Sequence, residues 1–344
     1  MTKKTKLYIL VATLITSATL VSLLCLGYIS KLQFEGESTV IFIGSNMSPN
    51  EIQKELGVQS FSWNCALLFK RYPTLKPGKY TFQSGATYYE VINKLRNGEQ
   101  TPVKFRTDNV NNIYDLAGKF GKHFEQDSTA FLNAATEITR NLEFLNHLQN
   151  SSFQLQGLAA FINGDSYEFK WTDSPQEFLN KFIQDRNHFW NDERKMQCAT
   201  IGVSPFEATV LASIVCGEIR DMNEGPRVAG LYLNRLNQGI LLQSDPTVIF
   251  ALNTKEKIQR LSNNDLKIDS PYNTYKYKGL PPAPIRFVNE KYIDFVLQAE
   301  KNEFIFMVAE AGGTGKHKFS KTYAEHQKYA QEYWDYLNSK NIHR

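Results

Sequence analysis

The hydrophobic pattern divides the chain into an anchor, a small module and a larger domain. Leu7 to Ile29 is an apolar run without a charge, preceded by Lys3, Lys4 and Lys6. Roughly 20 apolar residues cross a bilayer, so residues 7–29 are expected to form a transmembrane helix. The leading lysines predict a cytoplasmic tail at 1–6, with everything after the span outside the cytoplasmic membrane. The run exceeds a signal-peptide core and lacks a small-x-small cleavage site, and Leu24 before Cys25 argues against a lipoprotein signal. Gln33 to Ser38 reads as a linker. Val40 to Ile43 is strand-like, Ser48-Pro49 opens a helix through Leu56, and Trp63 to Tyr72 carries another. A Pro77-Gly78 turn feeds a strand at Lys79 to Phe82, and a helix over Tyr89 to Leu95 ends at Gly98. These elements predict a compact α+β module over 39–100.

Residues 101–344 read as a larger mixed α/β domain, so the chain as a whole is expected to be α+β. A strand-like start at Val103 leads to helical patterns over Ile113–Phe124 and Ser128–Leu148. Pro175 to Arg194 has the spacing of one long amphipathic helix. Ser204-Pro205-Phe206-Glu207 is a capping box with proline at the first helical position. Behind it Phe206, Val210, Leu211, Ile214 and Val215 form an apolar stripe, and Glu218 falls on that stripe. A desolvated carboxyl is costly and its pKa rises. Two readings follow: a general acid, or a helix-end glutamate paired with Arg220 or Arg227. Gly225-Pro226 restarts a helix carrying Val228, Ala229, Tyr232, Leu233 and Leu236, closed by Gly239. Leu242 to Val248 then reads as a polar loop. A charged helical segment from Leu252 to Leu266, a strand at Phe304 to Val308 and a helix from Thr322 to Leu337 complete the pattern.

Composition narrows the function classes. The 344 residues carry a net charge of +4, with basic residues scattered, so nucleic acid is not an expected partner. Beyond the span lie Cys65, Cys198 and Cys216, an odd number that implies no disulfide framework and at most one bridge. His317 and His326 lack metal-ligand spacing, so neither a metal nor another cofactor is expected. Cys216 with His317 has the residue types of a thiol hydrolase, without the flanking motifs. Asp245 reads either as a turn residue before Pro246 or as a substrate-facing carboxylate, with Gln243 and Ser244 beside it. Asn273 and Thr274, on a Pro-rich loop, are of a type suited to acetamido or hydroxyl recognition.

Four ordered blocks carry a resemblance over nearly the whole chain. They are Ala212-Ser213-Ile214-Val215 ending on Glu218; Asn234-Arg235-Leu236 with Leu242-Gln243-Ser244-Asp245-Pro246-Thr247-Val248; Ser270 to Tyr275 with Gly279-Leu280-Pro281-Pro282; and Gly315 to Ser320 with Glu325-His326. Together they resemble the MltG (YceG-like) endolytic murein transglycosylases. The resemblance implies that Glu218 is catalytic and that peptidoglycan glycan strands are the substrate. It implies cleavage of the MurNAc–GlcNAc bond of nascent strands without water, leaving a 1,6-anhydro-MurNAc end and limiting strand elongation. It also implies a LysM-like, glycan-binding character for residues 39–100 and leaves cell-wall synthases as candidate partners. Tyr72, Tyr80 and Tyr88 are the aromatics there that could stack on sugars or pack in the core. Four positions depart from the family pattern: Cys216 stands where a second glutamate is usual, Ile219 where a threonine is usual, and Ala159, where an acidic residue is usual, departs together with Gly164 in the block from Leu158 to Trp171. The alternative is therefore a relative that binds peptidoglycan or scaffolds a synthesis complex without cutting.

Overall fold

The N-terminal apolar run forms one helix, α1 (Lys3–Ile29), begun by the Thr2 side chain accepting from the Thr5 amide. Its mean hydropathy reaches 2.4 and its apolar side chains face outward, so it is long and apolar enough to cross a membrane. The computed structural model describes residues 2–32, 36–142, 145, 148, 150–254, 258 and 261–340. Part of the expected linker (33–35), the last part of the helical pattern before Leu148, and 255–257, 259 and 260 of the charged segment lie outside the described residues.

The chain separates into two compact units. The first comprises Met1–Phe105, His123–Gln126 and Glu168–Ser174. In it β1 (Ser38–Ile43) pairs antiparallel with β2 (Gly78–Gln83), with Ser38 opposite Gln83 and Ile43 opposite Gly78. Helices α2 (Pro49–Glu55), α3 (Ser60–Phe69) and α4 (Tyr88–Asn97) share one core with that hairpin, in which Trp63, Tyr80, Ile92 and Leu95 are fully buried. Ser48 and Thr87 each form a capping box, which satisfies amides that a helix start would otherwise leave bare. Tyr80 and Tyr88 therefore take the core-packing role of the two open to them, and only Tyr72 of the three is exposed. The helix expected to reach Tyr72 stops at Phe69, because Arg71 and Tyr72 turn to positive φ.

The chain passes between the units within β3 (Val103–Arg106) and β4 (Ser166–Phe169). The second unit, Arg106–Lys122, Asp127–Tyr167 and Pro175–Arg344, is mainly helical. It contains α5 (Ile113–His123, all but its last residue), α6 (Ser128–Arg140) and α7 (Ser151–Gly157). The expected long helix over Pro175–Arg194 is two helices, α8 (Pro175–Phe189) and α9 (Asp192–Thr200). Asn191 breaks it by capping α9, its side chain accepting from the Arg194 amide. Next come α10 (Pro205–Glu218), α11 (Gly225–Asn237), α12 (Asp245–Leu252) and α13 (Glu290–Leu297). The hairpin of β5 (Phe306–Ala309) and β6 (His317–Ser320) sets Ala309 opposite His317, and α14 (Tyr323–Ser339) closes the unit.

Helix α10 is the spine of this unit. Ala208 to Val215 are buried without interruption, so the helix is enclosed on every side rather than along one stripe. It packs mainly on α13 and α11. Asn234 on α11 donates to the carbonyls of Asn302 and Phe304, and Arg227 pairs with Glu300 at 3.0 Å. Gly230 permits that approach, since a Cβ there would stand 2.3 Å from the Glu300 carbonyl oxygen. Helix propensity alone favours Gly230→Ala by up to about 1 kcal/mol, but the neighbour is backbone and cannot swing aside. The clash should win, with Gly230→Ala losing about 1–3 kcal/mol in denaturant unfolding.

Candidate active site

Glu218 is the last residue of α10, with Tyr232 on the facing turn of α11. Its Oε1 accepts from the Tyr232 hydroxyl at 2.8 Å and from Ser244 Oγ at 2.5 Å. Arg227 is committed to Glu300, so the expected alternative of a Glu218–Arg227 pair does not form. The carboxyl is held above its ordinary value of 4.5, chiefly because water is removed from around it. Ser244 and Tyr232 oppose that rise by bonding the charged form, the negative charge of Asp245 adds to it, and His317 counters it. The Tyr232 hydroxyl is pushed well above its usual range by burial and by Glu218. It therefore stays a donor.

The polar segment after α11 is not all loop. Pro246 and the extended backbone of Ser244 start α12 at Asp245. Ser244 occupies the capping position, yet its hydroxyl makes no cap and bonds Glu218 instead. Its own amide donates to Thr274 Oγ1 at 3.0 Å, and the Thr247 and Thr274 hydroxyls bond each other at 2.8 Å. Gly217 explains how α12 comes so near: a Cβ there would lie 2.7 Å from Pro246 Cβ. A residue that weakens helix α10 is what lets the next helix deliver Ser244 to the carboxyl.

Glu218 lines a cavity of about 250 Å³ with Tyr232, Gln243, Asp245, Tyr275 and His317 among its walls. Asp245 Oδ1 accepts from the Tyr275 hydroxyl at 2.5 Å. Gln243 adopts a left-handed φ of 51°, and its Oε1 accepts from Arg235 at 3.2 Å. The buried Arg235 also donates to the carbonyls of Ile305, Leu241 and Leu242, tying the loop to the hairpin end. Asn273 and Thr274 take a different place from the expected one. Both are buried, and Asn273 is spent on the Leu266 and Ile268 carbonyls and the Tyr275 amide. They hold the loops that carry Tyr275 and Ser244, with no polar atom left to face a ligand.

The sequence reading missed Tyr232, Tyr275 and the pair His317–Glu224. His317 donates its amide to Glu224 Oε1 at 2.8 Å, and its Nδ1 lies 2.9 Å from Glu224 Oε2. Tyr232 had been assigned to an apolar stripe, although a buried tyrosine hydroxyl needs a partner and so points to a polar group nearby. For Glu224 no signal separates it from any surface glutamate. The four departures from the expected pattern do not line the cavity. Ala159 is fully buried in a short 3₁₀ turn, and the Cys216 thiol lies against Tyr292, whose hydroxyl burial pushes up to about 12 with Cys216 adding to the rise. All four cysteines are free.

The model of the YceG-like family matches residues 35–332. The chain belongs to the YceG-like family. Among relatives, the endolytic murein transglycosylase of Bacillus subtilis is 26% identical over 313 residues, covering 88% of this chain and 84% of the relative. That of Streptococcus pneumoniae strain R6 is 24% identical over 300 residues, and the match spans only 52% of its length. A solved yceG-like protein from Listeria monocytogenes superposes with a TM-score of 0.58 at 23% identity, over 85% of this chain and 98% of that one, which establishes the shared YceG-like fold.

The electrostatics of Glu218 give a stability test. Because its folded value is raised, the folded state holds the proton more tightly than the unfolded chain. Its contribution is fully present below the ordinary 4.5 and is lost as pH rises through the folded value. Glu218→Gln retains an oxygen for Tyr232 and Ser244 but cannot ionise. Thermal unfolding should therefore find the variant and the wild type alike near pH ~4, and the variant more stable near pH ~8. A constant difference across that range would show that Glu218 does not titrate abnormally.

Proposed function

We propose that this YceG-like protein is a membrane-anchored endolytic murein transglycosylase that cuts peptidoglycan glycan strands. The observation that carries the reading is a single carboxyl, Glu218, desolvated and held by two hydroxyl donors at the wall of a polar cavity. The names of the Bacillus and Streptococcus relatives support the substrate class.

In the proposed reaction Glu218, protonated because burial disfavours its charge, gives its proton to the glycosidic oxygen of a MurNAc–GlcNAc linkage. The bond from C1 to that oxygen breaks and the leaving sugar departs as an alcohol. The C6 hydroxyl of the same MurNAc then attacks C1, and Glu218, now a carboxylate, takes its proton. The product is a 1,6-anhydro-MurNAc end, with no water consumed. Tyr232 and Ser244 do for Glu218 what the reaction needs in its second half, stabilising the carboxylate between the two proton transfers. Asp245, oriented by Tyr275, sets negative charge beside the cationic character that develops at C1. Gln243 remains a proposed substrate-side group at the cavity wall, whereas Ser244, fully buried, serves through Glu218.

The rest of the assignment follows the sequence. We take α1 as a single-pass anchor with residues 1–6 cytoplasmic and everything after the span outside the cytoplasmic membrane, as Lys3, Lys4 and Lys6 suggest. Residues 39–100 are taken as a LysM-like glycan-binding module; its paired hairpin and three helices support the reading, and any sugar contact there must use residues other than the buried Tyr80 and Tyr88. Cys216 and Ala159, away from the cavity, give no reason to prefer a non-cutting scaffold.

The test uses the full chain in detergent with purified glycan strands and mass spectrometry of the products. Wild type should release 1,6-anhydro ends only. Glu218→Gln should lower turnover by at least about 10²–10⁴-fold while remaining folded. Hydrolysed reducing ends would replace the mechanism with hydrolysis. Binding without release would favour the scaffold. A second expectation concerns pH: Tyr232→Phe removes a donor to the carboxylate, so the pH at which Glu218 loses its proton should rise and the pH–rate profile should move upward with it.

A further inference from the structure

We propose that one edge of the first unit, the outward side of α3 and the basic turn after it, lies on the bilayer surface and engages anionic phospholipid headgroups. This rests on the reading of α1 as a membrane span. The geometry begins with the length of α1: at 27 residues it is about 40 Å long, against a hydrocarbon core of about 30 Å. Its last turn therefore emerges at headgroup depth.

That turn is fixed to the folded module. Gly27 and Tyr28 are buried, and a Cβ on Gly27 would come within 2.9 Å of Cys65 Cβ on α3. The Tyr28 ring stacks on Phe69 at 4.4 Å and meets Tyr89 edge-on at 4.9 Å. Lys70 completes the cluster, its Nζ lying 4.4 Å from the Tyr89 ring centroid and 5.9 Å from that of Tyr28. Whatever α3 exposes beside this joint is held at the level where α1 leaves the membrane.

What it exposes is apolar and aromatic. Phe61 is 60% exposed, Phe69 52%, Tyr72 66%, and Leu68 is also open. A soluble face gains nothing from such residues, whereas aromatics at headgroup level are the usual content of a membrane interface. The charge beside them is one-signed. Lys70, Arg71, Lys76 and Arg96 line a cleft of about 570 Å³ with Phe69. None of the four joins an ion pair among the described residues. Arg71 and Tyr72 both carry positive φ, 58° and 49°, a conformation that side-chain-bearing residues adopt with strain. The strained turn presents a cation and an aromatic side by side. Phosphate groups of anionic lipid fit the cleft, and acyl-chain boundaries fit Phe61 and Leu68.

The experiment places the full chain in nanodiscs of phosphatidylcholine, with or without phosphatidylglycerol, each containing a photoactivatable phospholipid. Crosslinked peptides are mapped by mass spectrometry. Crosslinks are expected on α1 and on residues 60–72, the latter rising at least about fivefold with phosphatidylglycerol. The combined variant Lys70→Ser, Arg71→Ser, Lys76→Ser, Arg96→Ser should abolish that rise while crosslinks on α1 persist. Phe61→Ser with Leu68→Ser should lower crosslinking of 60–72 in both lipids. Crosslinks on α1 with none on 60–72 would overturn the surface and leave the anchor standing. Absence of crosslinks on α1 would overturn the anchor itself. A signal on 60–72 indifferent to phosphatidylglycerol and to the four serines would overturn the headgroup recognition.

Discussion

The second unit depends on partly desolvating a carboxyl without leaving it alone. Removing water from Glu218 is the largest influence on it, and an unpartnered buried carboxylate would be among the most costly groups in the protein. Two hydroxyls from different elements meet the same oxygen, and each element is brought there by a separate device. Tyr232 arrives because Gly230 lets α11 settle against the Glu300 carbonyl. Ser244 arrives because Gly217 leaves room for Pro246 and because Thr274 takes the Ser244 amide. The residues with the least side chain thus set the position of those with the most chemistry.

This arrangement separates two kinds of polar burial. Asn273 and Thr274 have their hydrogen-bonding capacity met within the protein, so they specify loop shape and leave nothing for a ligand, while Arg235 commits Nε and Nη1 to loop groups although it also reaches the cavity wall. Glu218, Asp245 and His317 instead keep a face on the cavity. His317 is steadied through Nδ1 by Glu224, which leaves the other side of the ring toward the shared space. Within the block from Leu242 to Val248 the two roles alternate: Gln243 and Asp245 face the cavity, while Ser244 between them is buried with its hydroxyl on Glu218.

Much of this was legible in the residues. The capping box at Ser204, the restart at Gly225-Pro226 and the place of Glu218 on α10 follow from local rules that tertiary packing had no reason to override. Elements failed where a tertiary partner outbid the local signal. Leu242 to Val248 reads as a loop because its polar groups cluster just after a helix hairpin, but α12 starts at Asp245 and the Ser244 hydroxyl is taken by Glu218. Pro175–Arg194 reads as one helix because its apolar spacing continues, while Asn191 captures the Arg194 amide and divides it. Of the two roles open to Tyr80 and Tyr88, sugar stacking and core packing, the fold gives them the second, beside Trp63 and Phe82.

The Cys216 position shows how a missing group is replaced by geometry. A second acid two residues before Glu218 would sit about 200° around the helix from it, since successive residues turn by about 100°. The thiol that stands there lies against Tyr292, consistent with that separation. An acid at the same place would act on Glu218 only through the intervening protein. Asp245 acts from the cavity side, across the space a substrate would fill, and it is among the groups that raise the Glu218 carboxyl. In the proposed reaction such a charge would serve both states: it discourages ionisation before transfer and favours positive charge at the sugar after it. The loss at Cys216 therefore removes a neighbour of the helix, while Asp245 at the start of α12 adds to a rise at Glu218 that desolvation leads and the two hydroxyl donors oppose.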